Sequence, residues 1–249
     1  LSAAEIEQIN QNPVASPLMP QQEKGIRPAS ALPYELSAEG KLSADKKSFQ
    51  IHLSAKNDVF GKKAVGAPFQ VYAPHKYRTQ ANGAFEDLKV WSYAVTAGDT
   101  LTDTWPLQNF ENDAYHLRVY GPNGFFREYN GNANDPQMSV QCEYQRSSPQ
   151  GKQLTGNVEL KLRNLASQRK LKVEIIDNAY KMPTQTKTLD VLSNKGSMLS
   201  VILDLKTSFG WYDFSVKVEG FASFEQRFAG RVETGKTSFS DPVMGRVEL

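Results

Sequence analysis

The sequence predicts an all-β chain: two tandem β-sandwich domains, immunoglobulin-like in size, preceded by an extended N-terminal arm. Three observations carry this. Short stretches alternate apolar and polar residues with period two. Turns rich in Gly, Asn and Pro separate them. The whole pattern then recurs roughly 100 residues later, the length of one small sandwich.

The arm comes first, as residues 1–27. Ser2 can cap a short helix over Leu1 to Asn10, and Glu5 three residues later completes a capping box. Asn12-Pro13, Ser16-Pro17, Met19-Pro20 and Arg27-Pro28 then stop regular structure. The polar stretch Gln21-Gln22-Glu23-Lys24-Gly25 suits a linker or a wrapping arm. The chain opens without an initiator Met, so it reads as a piece of a longer protein, with residues 1–27 the linker from an absent domain.

The strands follow. Alternation marks Phe49 to Leu53, Phe69 to Val71, Val90 to Val95 in part, Tyr115 to Val119, Val140 to Tyr144, Val158 to Leu162, Leu171 to Ile175, Val201 to Leu205 and Phe214 to Val218. Turn signals sit at Ala97 to Asp99, Gly121 to Gly124, Asn130 to Asn132 and Ser193 to Gly196. The first sandwich is placed at 28–132 and the second at 138–249, with Asn130 to Pro136 as the link. Each half carries a Tyr-x-apolar-x-Val strand, then Gly, Arg and Gly: Tyr115, Gly121, Arg127, Gly131, and Tyr212, Gly220, Arg227, Gly230. The first half has extra residues, placed in loops at 62–66 and 74–88.

Composition narrows the function. The balance of 39% hydrophobic and 22% charged residues is that of a globular protein. A net charge of +2 leaves no nucleic-acid footprint. The basic pairs Lys46-Lys47, Lys62-Lys63 and Arg169-Lys170 lie among turn residues and read as solvated loops. No apolar run is long enough for a membrane-spanning helix. Cys142 is the one cysteine, so it has no intramolecular disulfide partner; its alternation with Val140 and Tyr144 puts the thiol in a core.

Catalytic chemistry finds no foothold. A metal-dependent phosphodiesterase clusters His, Asp and Glu. Here His52, His75 and His116 are isolated in sequence, with His52 and His116 on polar strand faces. Asp177-Asn178 reads as a strand-end turn, and Glu86-Asp87 as loop. No nucleophile elbow or Gly-rich phosphate loop is present. The expectation is no catalytic residue, no metal and no cofactor.

Other residues invite structural or binding roles. Gly121-Pro-Asn-Gly124 folds into a tight hairpin, with Asn123 or Gly124 taking positive φ. Of Phe125 and Phe126, one enters the core and the other faces out. Beside Arg127 and Tyr129, the outward ring either meets a lipid headgroup region or packs on a neighbouring domain. Trp105 and Trp211 share that ambiguity, with packing the plainer reading. Arg127 and Arg227 occupy matching places in the two units, so each is assigned to pin its own last hairpin through a carboxylate: Asp113 for the first, Asp213 for the second.

Several segments together carry a resemblance: Arg27 to Leu36, Gly66 to Tyr72, Tyr115 to Tyr129, Gly210 to Val216, Arg227 to Gly235 and Ser240-Asp-Pro242. They resemble the duplicated C-terminal domain of bacterial phosphocholine-preferring phospholipases C, over about residues 27–245. The family usually has His where this chain has Arg231, a position that reads as exposed. The resemblance implies a parent enzyme that hydrolyses phosphatidylcholine or sphingomyelin to phosphocholine and a neutral lipid. It implies an N-terminal phosphoesterase domain in the same polypeptide, and a secreted or periplasmic location. This chain would then be a non-catalytic accessory module. Its partners would be that catalytic domain and, further, a phosphatidylcholine membrane surface or an export chaperone. The alternative is a stand-alone carbohydrate-binding or adhesion-type sandwich, since fold alone does not fix function.

Overall fold

The computed structural model describes residues 1–18, 23–80, 83–148, 151, 153–192 and 198–245. The Ser193 to Gly196 turn, Met19-Pro20 and Gln21-Gln22 lie outside the described residues. One helix opens the chain: α1, Ala3–Gln11. Ser2 accepts from the Glu5 backbone while the Glu5 carboxylate accepts from the Ser2 backbone, the reciprocal capping box.

The rest is β. The strands are β1 (Pro28–Ala29), β2 (Leu36–Leu42), β3 (Ser48–Ala55), β4 (Ala67–Ala73), β5 (Lys89–Val95), β6 (Thr100–Pro106), β7 (Tyr115–Tyr120) and β8 (Phe126–Gly131). The second half adds β9 (Met138–Arg146), β10 (Leu154–Asn164), β11 (Leu171–Asp177), β12 (Gln185–Leu189), β13 (Met198–Leu203), β14 (Trp211–Val218), β15 (Glu225–Arg231) and β16 (Ser238–Phe239). Seven of these, β1, β2, β6, β8, β12, β15 and β16, escape an alternation search. β1 and β16 are two residues long, and the others carry too few large apolar side chains at alternate positions to print the pattern.

In the first half β2-β3-β6 faces β5-β4-β7-β8, and in the second β9-β10-β13 faces β12-β11-β14-β15. Each half closes over its own core. Phe49, Ile51, Leu53, Phe69, Val71, Leu117 and Tyr129 belong to the first. Val158, Leu160, Leu162, Val173, Phe214, Val216 and Phe228 belong to the second. Period-two alternation accounts for both, since each strand turns one face inward.

The sequence does not announce how the halves join. β8 pairs antiparallel with β15, so the two four-stranded sheets become one sheet of eight strands. Edge strands that would stay open in a lone sandwich are thereby paired. The segment expected to link the halves is part of the fold. Asn130 and Gly131 end β8, and Asp135 is buried, accepting from the Tyr115 hydroxyl (2.5 Å) and the Asn132 backbone (2.9 Å).

Candidate functional site

The residues singled out from sequence converge on the β8–β15 seam. Across it Arg127 faces Phe228, Glu128 faces Arg227, and Tyr129 faces Gln226. Alternation sends Arg127 inward, where it is 1% exposed. Its guanidinium donates to the carbonyls of Phe126 (2.7 Å) and Ala229 (2.8 Å) and to the Tyr212 hydroxyl (3.1 Å). It lies over the rings of Phe125 (4.2 Å) and Phe228 (5.2 Å), with the Cys142 sulfur 3.9 Å away. Arg127 therefore stitches the halves to each other, through backbone carbonyls and aromatic faces that compensate its lost hydration.

The assignment of Arg127 to Asp113 is thus corrected. Asp113 is exposed in the turn before β7, at φ 53°. The supposed equivalence with Arg227 also fails. Tyr115 pairs with Gly131 and Tyr212 with Gly230. Counting back from those glycines, Arg127 matches Gln226, and Glu128 matches Arg227. A slip of one residue moves a side chain to the other face of the sheet.

On the outward face Arg227 forks onto Asp213 at 2.7 and 2.6 Å. Opposite it, Glu128 accepts from Arg118 (2.6 Å) and contacts His116 (2.6 Å). The His116 bond, with Arg118 beside it, overcomes partial burial and holds the Glu128 carboxyl down at about 2. His116 is not isolated in space: its ring lies 4.9 Å from that of His75. Even so, among the described residues no group of three His, Cys, Asp or Glu is placed to hold a metal.

The hairpin tip locks the same seam. Gly121 donates to the Phe125 carbonyl (2.9 Å), and Asn123 (φ 58°) and Gly124 (φ 73°) take the left-handed conformation. A Cβ on Gly124 would stand 2.9 Å from the Trp211 ring, so glycine permits the approach. Asn123 donates to Glu233 (2.7 Å) in the other half. Phe125 is buried against Phe69; Phe126 is half-buried and faces out beside Tyr120. Tyr129 is fully buried, its hydroxyl on the Ala38 carbonyl (2.8 Å). Trp105 is core, packed edge-on to Trp91. Trp211 lies under Arg231 and donates to the Phe239 carbonyl (3.1 Å). Arg231, expected exposed, is buried beside Glu233 at 3.5 Å, whose carboxylate also accepts from Leu32, between β1 and β2, and from Asn123 of the hairpin tip.

A second contact between the halves is polar. A cleft of about 630 Å3 is lined by Glu35, Lys56 and Asp58 from one half and Glu143, Arg146 and Lys161 from the other. Arg146 reaches Glu35 (3.2 Å), and Glu143 binds Lys161 (2.7 Å). Burial raises the Glu35 carboxyl above its ordinary value despite Arg146. Cys142 borders this cleft, but burial pushes its thiol up to about 11, far from a thiolate nucleophile. Buried Glu35, Asp135 and Glu233 escaped sequence reasoning. Their only signal was a carboxylate beside an apolar strand start or a turn.

Comparison with known proteins matches residues 28–132 and 138–231 to the family described as bacterial phospholipase C, C-terminal domain. A non-hemolytic phospholipase C of Pseudomonas aeruginosa is 34% identical over 98% of this chain, which covers 32% of that protein. A hemolytic phospholipase C of the same species is 34% identical over 91% of the chain and 30% of its own length. A non-hemolytic phospholipase C of Burkholderia pseudomallei is 32% identical over 93% and 30%. The chain thus spans about a third of the relatives it matches.

Proposed function

From the premise that the chain belongs to the bacterial phospholipase C C-terminal domain family, we propose that it is the rigid, non-catalytic part of a phospholipase C, docked on a phosphoesterase region of the same polypeptide. One observation carries this: the polar and aromatic residues of the seam are spent on joining the halves. Arg127, Asn123, Trp211 and Glu233 all have partners inside the chain. A doubled sandwich fused into one sheet suits a scaffold that shapes access to a neighbour's active site. In this reading residues 1–27 are the connection to that neighbour, and the whole enzyme is secreted and cleaves choline phospholipids.

The test is phosphocholine release from phosphatidylcholine vesicles with added zinc, calcium or magnesium. The expected result is turnover by the full-length polypeptide and none by residues 1–249 alone. Turnover that stays with the shorter chain through repeated chromatography overturns the proposal.

A further inference from the structure

The outward face of the eight-stranded sheet is covered at one end, around Trp211 and Arg231, and carries an exposed aromatic strip in its first half. At the ends of β14 and β15, outward Arg231 is buried where Leu32, between β1 and β2, donates to Glu233 (3.1 Å) and Trp211 donates to Phe239 of β16. The arm runs on along the C-terminal segment: Arg27 donates to Ser240 (3.0 Å), and Gly25 to the Gly245 carbonyl (2.8 Å). On the first half of that face, Val90, Tyr72, Tyr120 and Phe126 point outward, Val90 and Tyr120 exposed and Tyr72 and Phe126 half-buried. Tyr72 pairs with Val90 and meets Tyr120 edge-on at 5.3 Å; Tyr120 meets Phe126 at 5.0 Å; the Arg227 guanidinium lies 5.5 Å over Phe126. Val90 is 41% and Tyr120 43% exposed.

The geometry points to this strip as the surface on which the preceding region of the same polypeptide docks. The inference rests on reading the chain as one part of a longer phospholipase C. Three features argue for that occupant. A row of aromatic rings that ends under Arg227 and is bordered by ion pairs (Arg118–Glu128, Arg227–Asp213) has the make-up of a protein interface. The rings already brace one another, so little side-chain freedom is left to lose on docking. The arm is the covalent route to the preceding region, and its Arg27 is held by Ser240, next to the Phe239 that covers Trp211 on this same face. The relatives have about twice this chain's length to supply that region.

Thiol labelling in the full-length polypeptide tests it. Val90→Cys and Tyr120→Cys are compared with Met198→Cys and Ile202→Cys, which stand exposed on β13 of the other sheet. Each labelled peptide is quantified by mass spectrometry, which separates it from other cysteines. The strip is expected to react with a maleimide at least tenfold more slowly than β13, at any protein concentration and without lipid. Adding Phe126→Arg is expected to bring Val90→Cys up to the reference rate. If β13 is protected and the strip labels fast, the surface is wrong while docking survives. Fast labelling at all four positions removes both. Protection that grows with protein concentration assigns the strip to a second copy of the chain. Protection that needs phosphatidylcholine vesicles assigns it to a lipid surface, and either result overturns the inference.

Discussion

The two sandwiches share a plan and differ at the residues that join them. In both, a tyrosine on the penultimate strand faces a glycine: Tyr115 over Gly131, Tyr212 over Gly230. Three and four residues before that glycine the plan diverges. The inward residue is Arg127 in the first half and Gln226 in the second; the outward residue is Glu128 in the first and Arg227 in the second. Because β8 and β15 pair antiparallel, one equivalent pair meets at the centre of the seam, Glu128 opposite Arg227. Divergence of the copies thus turns a like pair into an opposite one. Like charges directly opposite in a sheet are destabilising, and opposite charges are not. Two identical sandwiches could not make this contact.

The inward difference should be the larger. Arg127→Ala removes the donor to two carbonyls and a tyrosine hydroxyl and opens a void under Phe125. The expected loss is about 3–5 kcal/mol, from a cavity plus unpaired buried acceptors. Gln226→Ala, at the matching place, should cost about 1–2 kcal/mol. Urea unfolding of both variants decides it, and equal losses would remove the special status of Arg127.

Next come the two glycines. A Cβ at 131 would meet Asp135 oxygens at 2.2 and 2.5 Å and the Tyr115 hydroxyl at 2.5 Å. At 230 its nearest contact is the Tyr212 hydroxyl at 3.0 Å, with φ at 154°. Gly131→Ala must therefore break the Tyr115–Asp135 bond, at about 2–3 kcal/mol. Gly230→Ala should cost about 1 kcal/mol. Thermal melts of the two, read at matched conditions, should rank 131 as the more damaging.

Much of the fold was legible because buried strands print their pattern: the alternating runs around Ile51, Leu117, Leu160 and Phe214 needed no tertiary knowledge. The doubled Tyr-x-apolar-x-Val strand revealed two copies for the same reason. What could not be read was the seam, since nothing local to β8 or β15 says that their free edges meet. The error at Arg127 was avoidable. It stands four residues before its glycine and Arg227 three before its own, and an odd difference changes faces in a strand. Asp213, one residue after Tyr212, faces outward beside Arg227, whereas Asp113 lies before its strand begins and has no face to share.

The outward pair supplies a smaller, more specific prediction. A double-mutant cycle with Glu128→Gln and Arg227→Gln should give a coupling of about 0.5–1 kcal/mol, since Arg227 is partly exposed and has Asp213 as a second partner. A coupling of zero at low salt would mean that the two charges only share a row, with no energetic link across the seam.

The smallest expected effect separates the two contacts by pH. Glu128 and Glu35 sit at different junctions of the halves, and their carboxyls move in opposite directions. Glu128 is depressed to about 2, so its stabilisation is present above the unfolded value and is lost as pH falls through about 2. Glu35 is raised by burial, so its contribution is full below the unfolded value, about 4.3, and is lost as pH rises through the raised folded one. Glu128→Gln should flatten the acid limb of a stability–pH curve by about 0.5 kcal/mol, discounted for partial solvent screening. Glu35→Gln should flatten the mildly acidic decline by less, because Arg146 already offsets part of the burial cost. Urea midpoints from pH 2.5 to 7 in both variants measure this. If both substitutions tilt the curve the same way, then the polar cleft holds Glu35 as an ordinary ion pair, and burial is not what distinguishes the two junctions.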